Sequence, residues 1–168
     1  MRLRLAMPED ADLLRHWDSQ PHVAYATGST ESYDWPRELA RDVDWRDFLI
    51  AESGGRPIGL VVLIDPAREE THYWGDVAED LRALDIWIGD LADTGKGYGE
   101  VMMRLACDRC FGNPAVQGII IDPLVSNVRA IWFYERLGFR FVERRRIGSD
   151  DIHVMRLDRA VWQGRETG

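Results

Sequence analysis

Residues 84–138 limit the fold of this chain more than any other stretch, because two strand-to-helix units follow one another there without a gap. The first reads Leu84-Asp-Ile-Trp-Ile-Gly89, Asp90-Leu-Ala-Asp-Thr94, Gly95-Lys-Gly-Tyr-Gly99 and Glu100-Val-Met-Met-Arg-Leu-Ala106. A short apolar run bounded by turn residues predicts a buried strand, and the amphipathic run after the glycines predicts a helix. The second unit opens with Val116-Gln-Gly-Ile-Ile-Ile121, another buried-type strand, which Asp122-Pro123 ends. Ser126-Asn127 then caps an apolar-periodic run of Val128, Ile131, Trp132, Tyr134 and Leu137, and Gly138 stops it.

The glycines between the first strand and helix carry a chemical implication. Gly95, Gly97 and Gly99 have no Cβ, so backbone N–H groups can crowd around an anion. The helix that follows adds unpaired N–H groups and the positive end of its dipole. A diphosphate suits such a corner. The spacing excludes the two commonest nucleotide motifs. Gly-x-Gly-x-x-Gly fails because Glu100 and Met102 stand where the last glycine belongs, and the Gly-Lys-Ser/Thr loop fails because Lys96 precedes Gly97. From these residues alone, an ordinary tight turn before a helix stays open beside a phosphate cradle.

The whole chain has 168 residues, enough for one domain with a sizeable core, and its 45% hydrophobic and 30% charged content fits a folded soluble protein. No stretch approaches the ~20 apolar residues that cross a bilayer. The start, Met1-Arg-Leu-Arg-Leu-Ala, has no long apolar run of a secretion signal, so a cytoplasmic location is expected. The net charge of −8, with acids crowded into residues 34–47 and 69–85, disfavours nucleic acid and anionic membranes and favours a cationic small molecule. The same acidity also serves solubility. Cys107 and Cys110 lack a second cysteine pair and the four histidines are scattered, so no metal site is expected. Both thiols fall inside the predicted helix and are expected to pack there as small hydrophobes.

The remaining segments read in order. Arg2-Leu-Arg-Leu-Ala6 alternates as a strand, and Pro8-Glu-Asp opens a helix that buries Leu13, Leu14 and Trp17. Ser19-Gln-Pro21 breaks it, and residues 22–32 read as irregular. Asp34 is a candidate cap for a helix with Leu39 and Val43 inward. Residues 48–52 and 57–64, around Gly54-Gly55, read as a hairpin. Residues 65–83 read as a loop rich in acids and aromatics, among them Glu69, Tyr73, Trp74 and Asp76. Residues 139–146 and 152–157 form a last pair of strands. Arg144, Arg145 and Arg146 read either as a solvated strand face or as holders of an adenosine phosphate. The tail from Trp162 is expected to fray.

Gly95-Lys-Gly-Tyr-Gly99, Asn127 and Tyr134-Glu-Arg-Leu-Gly-Phe139 stand together in an order and spacing that resembles the GNAT superfamily of acetyl-CoA-dependent N-acetyltransferases. The resemblance covers most of the chain and is strongest over residues 85–139. It implies one α+β domain over residues 1–168, with a mixed, mostly antiparallel central sheet splayed between two strands and flanked by helices. It implies acetyl-CoA as cofactor, with coenzyme A as product. Gly95, Lys96, Gly97, Tyr98 and Gly99 would hold the diphosphate. The pantetheine arm would enter between strands 84–89 and 118–121, pairing with backbone groups of Trp87 and Ile88, one of whose N–H groups would polarise the thioester. Asn127 would lie near the pantetheine, besides being a plain helix cap. Tyr134 would lie near the sulfur and protonate the departing thiolate, besides being a buried helix aromatic. Thr94 departs from the family, which often has Arg or Gln there, so backbone contacts are expected to carry the binding.

Asp85 is a carboxylate in a run of Leu, Ile and Trp, and such a residue needs a reason. It could take a proton directly or through water, bind an ammonium group, or face solvent at the strand end. Within the superfamily the chain looks most like the bacterial aminoglycoside 6'-N-acetyltransferases. The residues that carry this are Asp85, the glycine loop, Asn113-Pro-Ala-Val116, Ile121-Asp-Pro123 and Ser126-Asn-Val-Arg-Ala-Ile131 before Tyr134. That resemblance implies Asp85 as the base, Asp122 against a substrate amine, and Tyr73, Trp74 and Asp76 lining the acceptor site. The alternatives are a siderophore-type hydroxylysine acyltransferase, a protein or peptide N-acetyltransferase, and a non-catalytic acyl-CoA-binding module. A monomer and a homodimer are both compatible with the sequence.

Overall fold

The computed structural model describes residues 1–28 and 33–166. Seven strands form one sheet in the order β1-β2-β3-β4-β5-β7-β6. Here β1 is Arg2–Leu5, β2 Arg46–Ser53, β3 Arg56–Ile64, β4 Leu81–Ile88, β5 Gly118–Ile121, β6 Arg140–Ile147 and β7 Asp150–Asp158. The β1–β2, β2–β3, β5–β7 and β6–β7 pairs are antiparallel, and β4–β5 is parallel. The β4–β5 register covers only Leu81, Ala83 and the residue between them, opposite Gly118 to Ile120, while β4 continues to Ile88. The ladder takes in three of the four residues of β5. Strand β4 also starts at Leu81, inside the stretch expected to be loop.

The chain divides into two compact units, one of Met1–Ile64 with Leu84–Asp108, the other of Asp65–Ala83 with Arg109–Gly168. In the first, Gly54 and Gly55 (φ 58° and 80°) make the tight turn of the β2–β3 hairpin, a conformation that excludes most L residues. A short 3-10 turn at Pro8–Asp10 leads into α1 (Ala11–Asp18), whose Leu14 and Trp17 are fully buried. Buried Asp10 accepts from the Met7 amide at 2.7 Å and takes a two-pronged bond from Arg4, which also reaches buried Glu52 at 2.7 Å. Two acids inside the unit are thus charge-paired, as burial requires.

Residues 22–28 are not irregular. Pro21 starts α2 (Pro21–Thr27), with its fixed φ suited to the first helical position, and Gly28 (φ 67°) ends it. The rest of that expectation, residues 29–32, lies outside the described residues. Asp34 does occupy the N-cap position of α3 (Trp35–Ala40), but its side chain makes no capping bond. The anchor there is Trp35, fully buried, with Nε1 donating to Asp18 at 2.7 Å. Leu14, Trp17, Val23, Trp35, Phe48, Ile50, Leu60, Val62 and Trp87 form one core cluster. Helix α4 (Tyr98–Phe111) buries Met102, Met103, Ala106 and Cys107.

In the second unit α5 (Val128–Arg136) follows β5, and α6 (Arg159–Glu166) closes the described chain. The tail does not fray from Trp162. That residue is 5% exposed and its ring lies 6.4 Å from Phe111, while Arg159 donates to the Val116 and Asn113 carbonyls. Residues 167–168 lie outside the described residues. Arg144 pairs with Asp151 at 2.9 Å, and Arg145 with Glu143 and the Trp74 carbonyl, as a strand face would. Cys107 and Cys110 are buried free thiols, and burial pushes the Cys110 thiol up to about 12. Among the described residues there is no metal-holding cluster, and no helix is long and apolar enough to cross a membrane.

Candidate active site

The glycine loop begins with a 3-10 turn at Leu91–Asp93 and ends where α4 starts at Tyr98. Gly95 (φ 74°) and Gly97 (φ 82°) are both left-handed, and a Cβ on either would meet nothing within 4 Å. The loop therefore presents bare peptide over open space, at positions a side chain would both strain and fill. Thr94 turns its hydroxyl back onto the Leu91 carbonyl at 2.8 Å and offers no charge outward. Charge comes instead from a cluster of which the sequence pointed only to Lys96. Asp93, 4% exposed, binds the Arg56 guanidinium through two bonds of 2.6 and 2.9 Å, and Lys96 Nζ at 3.3 Å. Arg56, first, and Lys96 hold the Asp93 carboxyl below its ordinary range. Open backbone at two glycines, a helix N-terminus and two cations fit a diphosphate.

On β4, Asp85 is only partly exposed, and burial pushes its carboxyl up to about 6. Among the described residues no hydrogen bond reaches it. The Tyr33 phenol is pushed up to about 12, chiefly by burial and then by the Asp85 charge. Trp87 gives its side chain to the core. Two glycines around it are dictated by close approach. A Cβ on Gly59 would lie 2.3 Å from the Trp87 carbonyl, and one on Gly89 would lie 2.0 Å from the Trp17 indole. The Ile88 carbonyl lies 3.0 Å from His22 Nε2, which must be the protonated nitrogen to donate, and the next amide, Gly89 N–H, donates to Ile58 O at 2.9 Å. The peptide joining Ile88 to Gly89 is thus held from both sides. His22 escaped the sequence reading because the helix that carries it did.

In the second unit one buried acid shapes the loop of residues 65–80. Glu69 accepts from the Thr71 amide (2.8 Å), the Thr71 hydroxyl (2.9 Å) and the Tyr73 amide (2.9 Å). Burial alone would raise its carboxyl, but these donors outweigh it and the net shift is downward. The knot leaves His72 with φ 53° and presents Tyr73, 41% exposed. Tyr73 donates its phenol to Asp122 at 2.5 Å, so two of the expected acceptor residues are brought together. Asp76 stands exposed. Trp74, also expected on the acceptor side, is buried in a T-shaped contact with Tyr73, and its carbonyl accepts from Arg145 at 2.9 Å. Asn127 is a true N-cap, its Oδ1 accepting from the Ala130 amide at 3.2 Å. Tyr134, 9% exposed, packs edge-on against Phe133 and Phe139.

Comparison with known proteins gives the family. Residues 6–147 match the family model described as an acetyltransferase (GNAT) domain. The chain is 28% identical over 145 residues to the aminoglycoside N(6')-acetyltransferase type 1 of Klebsiella pneumoniae, covering 82% of this chain and 72% of that protein. It is 29% identical over 154 residues to the lysine N-acyltransferase MbtK of Mycobacterium tuberculosis, covering 83% and 69%. A crystal structure of an aminoglycoside acetyltransferase in complex with coenzyme A superposes with a TM-score of 0.86 at 25% identity, covering 98% of both chains. The chain belongs to the GNAT acetyltransferase family, enzymes that take their acetyl group from acetyl-CoA.

Proposed function

We propose that this enzyme acetylates a primary amine of a small polycation of the aminoglycoside kind. The observation that carries the reading is Asp85, the one polar residue in the part of β4 from Leu84 to Ile88, half-buried there with its carboxyl lifted to about 6. At neutral pH such a group is mainly ionised, yet basic enough to take a proton from the acceptor's ammonium group, which frees the amine lone pair to attack, or from the amine nitrogen as it attacks. Acetyl-CoA, when bound, supplies an acetyl group already activated as a thioester, so an amine can attack it directly.

The chain's own residues do the rest. Gly95, Lys96, Gly97, Tyr98 and Gly99 bind the diphosphate through backbone and charge. The β4 backbone near Trp87 and Ile88 lines the pantetheine arm and offers an N–H to the thioester oxygen. Asn127 fixes the start of α5 on the cofactor, and Tyr134 gives a proton to the leaving sulfur. Asp122, held by Tyr73, and exposed Asp76 receive further cationic groups of the acceptor, in line with the net charge of −8. Similarity to an aminoglycoside N(6')-acetyltransferase supports this acceptor class, as does similarity to a kanamycin resistance protein of Rhizobium radiobacter, 33% identical over 72 residues and covering 42% of this chain. Similarity to a lysine N-acyltransferase keeps a lysine-type amine as the second reading.

A thiol-release screen with acetyl-CoA separates them. Kanamycin-like amines should turn over with kcat/KM well above that of lysine, hydroxylysine or peptide amines. Release with lysine derivatives and none with any aminoglycoside would overturn the acceptor class and leave the family assignment intact.

A further inference from the structure

We infer that Arg56 is a cofactor-binding residue for the diphosphate of coenzyme A, and that Asp93 is the positioning residue that delivers it to the glycine loop. The inference rests on the acetyl-CoA reading and adds to it a cation that no part of the loop sequence contains. Arg56 opens β3, far from the loop in sequence, and its side chain remains 53% exposed although its guanidinium is gripped by Asp93. Asp93 itself is 4% exposed. A buried carboxylate is costly unless paired, and this one is paired to excess, with Arg56 bidentate on both oxygens and Lys96 on one.

One negative charge thus holds two positive ones side by side, both half exposed, so this triad of side chains carries one net positive charge. Through Asp93, the last residue of the 3-10 turn, and Lys96, Arg56 is tied to both ends of the stretch that leads into the glycines. The protein as a whole carries −8, which opposes an anionic cofactor unless local cations reverse the field. Thr94 does not do so, since its hydroxyl is spent on Leu91. A planar guanidinium with donors left over after Asp93 can still address a diphosphate oxygen.

The test is direct binding, which needs no acceptor amine. Titration calorimetry would give Kd for coenzyme A and for 3'-dephospho-coenzyme A, and ligand-observed NMR would follow pantetheine, which has no phosphate. Arg56→Gln should weaken both nucleotide ligands about tenfold, the scale of one charge-assisted bond. It should also flatten the salt dependence of Kd and leave pantetheine binding as in the wild type. Arg56→Lys should recover part of the loss. Asp93→Asn, checked by thermal melting for an intact fold, should lose at least as much, because it releases Lys96 as well. An unchanged Kd in Arg56→Gln, a loss confined to the 3'-phosphorylated ligand, or an equal loss with pantetheine would each overturn the inference. A wild-type protein that fails to bind coenzyme A at all would instead remove the reading on which it rests.

Discussion

The glycine loop of the first unit and the loop of residues 65–80 in the second are the turns to which the proposed function assigns cofactor and acceptor, and they are built in opposite ways. The glycine loop owes its shape to what is missing. Two residues without Cβ adopt positive φ over open space, and peptide groups form the surface. The other loop owes its shape to one side chain, Glu69, whose carboxylate gathers three donors and forces His72 into a left-handed conformation. A backbone-built loop suits a ligand that never varies, because amides recognise phosphate whatever the neighbouring side chains are. A loop built on a side chain can be re-aimed by changing one residue, which suits a varied acceptor.

This contrast can be broken at several points. The largest effect should come from Asp85→Asn, which removes a side-chain function from the strand that feeds the backbone-built loop. Loss of a general base should lower kcat/KM on the order of 100-fold or more. In the wild type, activity should rise with pH as the Asp85 carboxyl ionises through about 6. That limb should vanish in the variant, leaving only the titration of the acceptor amine. A pH–rate profile decides it, and an unaltered acid limb would reassign the base.

Gly97→Val comes next. A β-branched residue at φ 82° is strained by roughly 1–2 kcal/mol and would put methyl groups into the cradle. Coenzyme A affinity should fall by about two orders of magnitude, a loss on the order of 3 kcal/mol, while the folded protein persists. Calorimetry of the purified variant checks this, and near-normal affinity would refute a backbone-built site. The smallest effect should be that of Glu69→Ala. Releasing one hydrogen-bonded knot costs on the order of 1 kcal/mol, about fivefold in the KM of the acceptor. Steady-state kinetics should show that change with coenzyme A affinity untouched. A change in cofactor affinity of equal size would mean that the two loops do not divide the work.

The two sides of the contrast were also unequally legible. The cofactor side stood in the sequence because its signals are local. Glycine at alternate positions, an apolar run before and an amphipathic run after are readable within a short window. Asn127 as a cap and Tyr134 on an apolar helix face were readable for the same reason. The acceptor side was only half legible. Tyr73 and Asp122 were named separately, but nothing local joined residues 49 apart in the chain. That Trp74 is buried against Tyr73 was not legible either, because an exposed and a buried tryptophan are the same letter. Helix α2 was overlooked because Pro21 reads first as a breaker, although proline at the first helical position costs no hydrogen bond.

The sequence by itself determined the order of strands and helices along most of the chain, the glycine turn and the apolar faces, because each depends on periods of two or 3.6 residues and on the φ preferences of single residues. Only the tertiary structure decided who holds whom. Arg56 reaches Asp93 across 37 positions, and His22 reaches the Ile88 carbonyl across 66. Such pairings arise from the folding of the chain on itself, where a buried carboxylate or carbonyl takes whichever donor the packing brings within about 3 Å. The raised carboxyl of Asp85 belongs to the same class. Its identity is a letter in the sequence, but its basicity is a property of the surroundings that desolvate it.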